Sequence, residues 1–163
     1  MVRVLVVYYS RTGNTKRMAE EVAEGAREAG AEVRLKDVRN TSLTDLEWAD
    51  GIVIGSPTYF GLPAAEIKKL IDDSIRIRGK LENKVGAAFS SSHHRAGGRE
   101  TTMLAILQAM LIHGMVVCGD PLRTGGHYGA AADLSPDEKA LRECKELGKR
   151  VARLAERLRG VRA

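Results

Sequence analysis

The sequence predicts an α/β protein: a five-stranded parallel sheet with helices on both faces, in three layers. Three observations carry that expectation. Short apolar, β-rich runs alternate with longer stretches of helical periodicity, in the order β-α-β-(α)-β-α-β-α-β-α. The first run, Val4 to Val7, is continuously apolar, as suits a central parallel strand covered on both faces. Gly, Ser, Thr, His and Tyr concentrate in the segments after the first, third, fourth and fifth strands, where an open parallel sheet gathers its binding loops. The 163 residues are read as one domain, 1–163, with chain enough for a single buried core.

Val2 to Tyr8 is the first strand. Thr15 to Ala29 places Met18, Ala19, Val22, Ala23 and Ala26 at helical spacing, and Gly30 supplies the stop. Glu32 to Val38 alternates and reads as a shorter outer strand. Asn40 to Asp50 is a loop with one helical turn carrying Trp48. Gly51 to Gly55 is a second buried strand, followed by a loop from Ser56 to Leu62. Pro63 is expected to open a helix running to about Ser74, with Ile67, Leu70 and Ile71 on one face. Ile75 to Asn83 is a basic connection. Lys84 to Phe89 is a buried strand, and Ser90 to Gly98 a loop. Arg99 to His113 is helical, with Gly114 as its stop. Met115 to Cys118 is the last strand, and Gly119 to Leu134 a Gly-rich loop. Ser135-Pro136-Asp137-Glu138 reads as a capping box before a final helix that turns Leu141, Cys144, Leu147, Val151, Leu154, Ala155 and Leu158 inward.

The loop after the first strand has the chemistry of an anion site. The first N–H groups of a helix lack intrahelical acceptors, and the helix dipole adds positive charge there. Ser10, Thr12 and Thr15 add hydroxyl donors, and Gly13 lets the backbone approach closely. The loop therefore looks built for a phosphate. It is neither a nucleoside-triphosphate loop nor a dinucleotide turn, because G-x-x-x-x-G-K-[ST] and G-x-G-x-x-G are both missing. Pro57 stiffens the second loop, Gly55 to Gly61, which can offer backbone groups to the edge of a heteroaromatic ring beside Tyr59 and Phe60. The third, Ser90 to Gly98, supplies another backbone-rich wall through Ser91, Ser92, His93, Gly97 and Gly98. Neighbouring His93 and His94 are poorly placed to chelate one metal ion, and no metal is expected. In the fourth segment, Gly125 to Ala130, His127 is a candidate for hydrogen bonding a substrate carbonyl or moving a proton.

Together these segments resemble the WrbA family of flavodoxin-like NAD(P)H:quinone oxidoreductases. Ser10-Arg11-Thr12-Gly13-Asn14-Thr15 is similar to the FMN-phosphate loop of flavodoxin-like proteins. Pro57-Thr58-Tyr59-Phe60-Gly61, the stretch Ser90 to Thr102, and Gly125 to Ala130 match further motifs of the family in the same order. The resemblance implies a flavodoxin-like strand order of 2-1-3-4-5. It also implies FMN held by Ser10 to Thr15, by Pro57 to Gly61, and by Ser91, Ser92, His93, Gly97 and Gly98. NAD(P)H would be the co-substrate and a quinone-like molecule the acceptor, each taking its turn in a ping-pong cycle. A homo-oligomer, dimer or tetramer, is implied as well. The alternative is a one-electron carrier or an FMN-binding protein without quinone turnover. The net charge of +5 argues against the carrier, since such proteins are usually acidic to steer basic partners.

Composition narrows the classes further. Basic residues on the last helix are interleaved with acidic ones and lack aromatic companions, so nucleic-acid binding is not expected. No apolar run approaches the ~20 residues of a membrane span. Cys118 and Cys144 are isolated in apolar patterns, read as reduced buried thiols in a cytoplasmic protein.

Overall fold

Alternating strands and helices build one mostly parallel sheet between two helical layers. The computed structural model describes residues 1–161. Its strands are β1 (Arg3–Tyr8), β2 (Glu32–Asp37), β3 (Gly51–Tyr59), β4 (Leu62–Pro63), β5 (Val85–Ser92), β6 (Val116–Val117) and β7 (Gly129–Asp133). Its helices are α1 (Asn14–Glu28), α2 (Leu43–Trp48), α3 (Ala65–Asp73), α4 (Arg99–Ile112) and α5 (Glu138–Leu158). The sheet runs β2-β1-β3-β5-β6, with β7 also on β5 and β4 folded back on β3. All neighbours are parallel except the β3–β4 pair.

Alternation along β1 decides which layer each side chain joins. Val4, Val6 and Tyr8 enter one core with Val53, Val85 and Phe89, covered by α1 and α5. Leu5 and Val7 enter the other with Ile52, Ile54 and Ala88, covered by α2, α3 and α4. Both faces of the central strands are therefore dry, which is why their sequences are continuously apolar. The helices α1 and α5 pack closely through Gly25 and Gly148. Glu28 is drawn to about 2 chiefly by a hydrogen bond from Lys145, then by one from Lys149, across that same contact.

The sheet has seven strands rather than the expected five, although its long strands keep the order 2-1-3-4-5. The fifth strand is split. Val116 and Val117 pair with Val85 and Gly86, while Gly129 to Asp133 pair with Ala88 to Ser92. Between them the chain makes an excursion gathered around buried Asp120, whose carboxylate accepts from Thr124 Oγ1 and from the N–H groups of Gly126 and His127. What looked like a glycine-rich loop from Gly119 to Leu134 thus ends in a strand.

Other boundaries move for local reasons. β3 runs on to Tyr59, and Pro63 lies in β4 opposite Thr58, so α3 begins at Ala65. β5 continues through Ser92 because β3 and β7 pair with its serines. Asp137, not Ser135, caps α5, accepting from the Ala140 N–H at 2.8 Å.

Asp45 anchors α2 to β2. Its carboxylate receives Lys36 at 2.7 Å, Arg34 at 3.0 Å and the Ser42 N–H at 2.9 Å. Burial alone would raise its pKa, but donation from Lys36 and Ser42 outweighs it and holds the carboxyl well below the usual range. A carboxyl depressed in the folded state stabilises above its unfolded pKa, about 3.9, and loses that contribution as pH falls toward the folded value. Asp45→Asn should therefore lower the thermal midpoint at pH 7, and the gap from wild type should shrink steadily below pH ~4. Melting curves from pH 3 to 7 check this; a gap independent of pH would refute it.

Candidate functional site

The carboxyl ends of β1, β3, β5 and β7 surround an open cavity of about 370 Å³. Arg11, Thr12, Asn14, Thr15, Pro57, Thr58, Tyr59, Ser91, Ser92, His93 and Leu134 line it, and no carboxylate is among them. Three of the expected loops thus meet there.

The first loop is shaped by Gly13, which stands immediately before α1 at φ 103°. Its N–H donates to Ser10 Oγ at 3.0 Å, closing the turn. No side chain caps α1, and its first turn carries no acidic residue. The free N–H groups of the helix start are left for a ligand from outside the loop. Thr15 and Ser91 share a buried hydrogen bond of 2.9 Å between their hydroxyls, tying this loop to the end of β5. Beside it, burial and the Glu66 carboxylate push the Tyr9 hydroxyl above its ordinary pKa.

The second and third loops are fastened to each other by the start of α4. Thr102, fully buried, donates its hydroxyl to Thr58 Oγ1 at 2.8 Å. Thr58 Oγ1 in turn lies 3.3 Å and 3.2 Å from the carbonyls of Gly97 and Gly98. Thr101 reaches the Gly61 carbonyl at 2.7 Å. Gly61, Gly97 and Gly98, expected to touch the ligand, are not among the lining residues; their carbonyls accept from Thr101 and Thr58 and so join the two loops. Phe60 sits at the tip of the β3–β4 hairpin with its side chain fully in solvent and outside the cavity lining. His93 and His94 meet edge to face at 6.1 Å, both exposed. Among the described residues no group of three or more His, Cys, Asp or Glu could hold a metal ion.

His127 is elsewhere. It lines a second cavity, between the first turns of α4 and α5, with Arg99, Tyr128, Lys139 and Glu143. The Asp120 carboxylate pins its backbone there, at the start of β7 and so at the wrong end of that strand for the first cavity. The turn that does reach the rim follows β7 and brings Leu134. Sequence reasoning missed Leu134, which carries no motif of its own. Thr102 closed the matched stretch Ser90 to Thr102, but the crossing of its hydroxyl to Thr58 is visible only in the fold.

Fold and cavity together define a flavodoxin-like protein, with an open cavity at the rim where the strand order reverses. Residues 2–128 match the family described as NADPH-dependent FMN reductase, and the chain belongs to that family. It is 40% identical to an NAD(P)H dehydrogenase (quinone) of Archaeoglobus fulgidus, over 97% of this chain and 100% of that one. It is 43% identical to a flavodoxin of Aquifex aeolicus, over 93% of this chain and 86% of the other. Among solved structures, a WrbA-like flavodoxin from Agrobacterium tumefaciens superimposes with a TM-score of 0.83 at 30% identity, covering 96% of this chain and 99% of that chain.

FMN is the group that this family and fold imply, and the residues present fit it. An uncapped helix start behind Gly13 suits a phosphate dianion, the hydroxyl-rich walls suit a ribityl chain, and Pro57 and Tyr59 offer contact to a flat ring. The lack of any carboxylate in the lining removes the obvious repulsion.

Proposed function

We propose that this single-domain chain is an FMN-dependent oxidoreductase that passes two electrons from NAD(P)H to a quinone-like acceptor. When bound, FMN supplies the hydride-accepting and electron-donating chemistry. Ser10 to Thr15 hold the phosphate, with α1 adding the field of its N-terminus. Pro57, Thr58, Tyr59, Ser91, Ser92 and His93 position the ring, while Gly61, Gly97 and Gly98 hold the two loops in place through their carbonyls; Phe60, exposed at the hairpin tip, takes no part. Donor and acceptor use the open side of the cavity in turn, a ping-pong order that needs no protein acid, because the acceptor takes one hydride equivalent and the single proton that completes its reduction comes from water. The observation that carries this reading is the carboxylate-free cavity built on the uncapped start of α1.

Ile75, Leu111 and Ile112 are 61%, 56% and 72% exposed, which supports a homo-oligomer, dimer or tetramer, that covers them. Among the described residues no helix is long and apolar enough to cross a membrane. Both cysteines are free, and burial pushes the Cys118 thiol up to about 11, which supports an inert role and a reducing, cytoplasmic setting.

The test is steady-state oxidation of NADH and NADPH by FMN-loaded protein, with benzoquinone as acceptor. Sustained turnover well above that of free FMN is expected, and turnover at the free-FMN rate would remove the proposal. A second reading, a one-electron carrier, is favoured by the likeness to the Aquifex flavodoxin and opposed by the net charge of +5. Reductive titration separates the two: a carrier takes up its electrons in two well-separated one-electron steps.

A further inference from the structure

The turn between β7 and α5 places Leu134 at φ 56°, in the left-handed region, just ahead of the Asp137 cap of α5. Only three non-glycine residues among those described have positive φ: Phe60, Asn83 and Leu134. A side chain bearing Cβ is disfavoured there, and such outliers persist where the surroundings over-determine them, often at binding sites. The surroundings here are specific. The Leu134 N–H donates to the Ser92 carbonyl at 2.8 Å, extending the β5–β7 pairing by one bond and fixing the turn to the cavity floor.

Leu134 lines the cavity together with Pro57, Tyr59 and Ser92, and remains 56% exposed. Every other lining residue carries a hydroxyl, amide, imidazole, guanidinium, phenol or proline ring, so Leu134 is the one open-chain aliphatic residue of the lining. A lone exposed leucine means little by itself. A leucine held in a disfavoured backbone conformation at the wall of a polar cavity is a different matter.

We propose that Leu134 is a flavin-contact residue, supplying the apolar surface against which the isoalloxazine ring packs and so helping to set FMN affinity. The assignment rests on the FMN reading given above. It gives the turn after β7 the fourth wall of the site, on the opposite side of Ser92 from β3.

Strain and contact can be separated by substitution. Leu134→Asn and Leu134→Gly both place a residue at home at positive φ, so the apoprotein's thermal midpoint should hold or rise. Both remove the apolar contact, so FMN affinity, read by quenching of flavin fluorescence on titration into apoprotein, should fall by about tenfold. Leu134→Met keeps the apolar surface and should stay within about threefold of wild type. If the Asn and Gly variants bind FMN within twofold of wild type, Leu134 is an ordinary surface residue and the proposal is overturned. Wild-type apoprotein that takes up no FMN would instead overturn the cofactor reading on which the assignment stands.

Discussion

Gly13→Val should abolish useful FMN binding, raising Kd by roughly a hundredfold, equivalent to about 3 kcal/mol. At φ 103° the backbone of residue 13 lies where a β-branched side chain is strongly disfavoured. The variant can relieve the strain only by turning the peptide, and that breaks the 3.0 Å bond from the residue 13 N–H to Ser10 Oγ. It also redirects the N–H groups at the start of α1, which have no side-chain cap to replace the lost ligand. No heavy atom lies within 4 Å of a Cβ added at Gly13, so crowding plays no part and the core should keep its stability. Titration of apoprotein with FMN gives the affinity, and a thermal melt without FMN gives the fold. A Kd changed by less than fivefold would mean that the phosphate lies elsewhere.

Gly148→Ala should cost about 3 kcal/mol of stability, at the upper end of overpacking effects, with little direct influence on the site. A Cβ on residue 148 would lie 2.0 Å from the Val22 carbonyl oxygen and 3.0 Å from the Ala26 nitrogen. Both are backbone atoms of α1, so no rotamer change relieves the clash and the helices must move apart. That separation loosens packing around Met18, Val22, Leu147 and Val151, all fully buried. It also strains the Lys145 and Lys149 bonds to Glu28, at 2.6 Å and 2.8 Å. Alanine is normally the better helix former by about 1 kcal/mol, so propensity alone predicts the opposite sign. Urea unfolding of the two proteins decides between packing and propensity.

Much of the fold was legible because its signals are local. Periodicity marked α1, α4 and α5, and continuous apolar runs marked β1, β3 and β5, since strands dry on both faces must be apolar throughout. The turn at the start of α1 was legible for a similar reason, because Gly13 takes the positive φ that a glycine before a helix permits. β7 was not legible: Gly129-Ala130-Ala131-Ala132-Asp133 has no β-branched or aromatic residue, and it becomes a strand only because β5 offers it an edge. The same pairing carries His127 away from the cavity at the rim and brings Leu134 to it.

The sequence by itself determined the α/β class and the glycine turn that opens α1, because these depend on neighbours a few residues apart, while the strand order was implied by the resemblance of its motifs to a known family. Only the tertiary structure decided that the fifth strand is split, that Thr102 ties the second and third loops together through Thr58, and which residue after β7 reaches the cavity. Each of these rests on contacts between residues some 40 apart in the chain, and short-range patterns of hydrophobicity and turn chemistry carry no record of them.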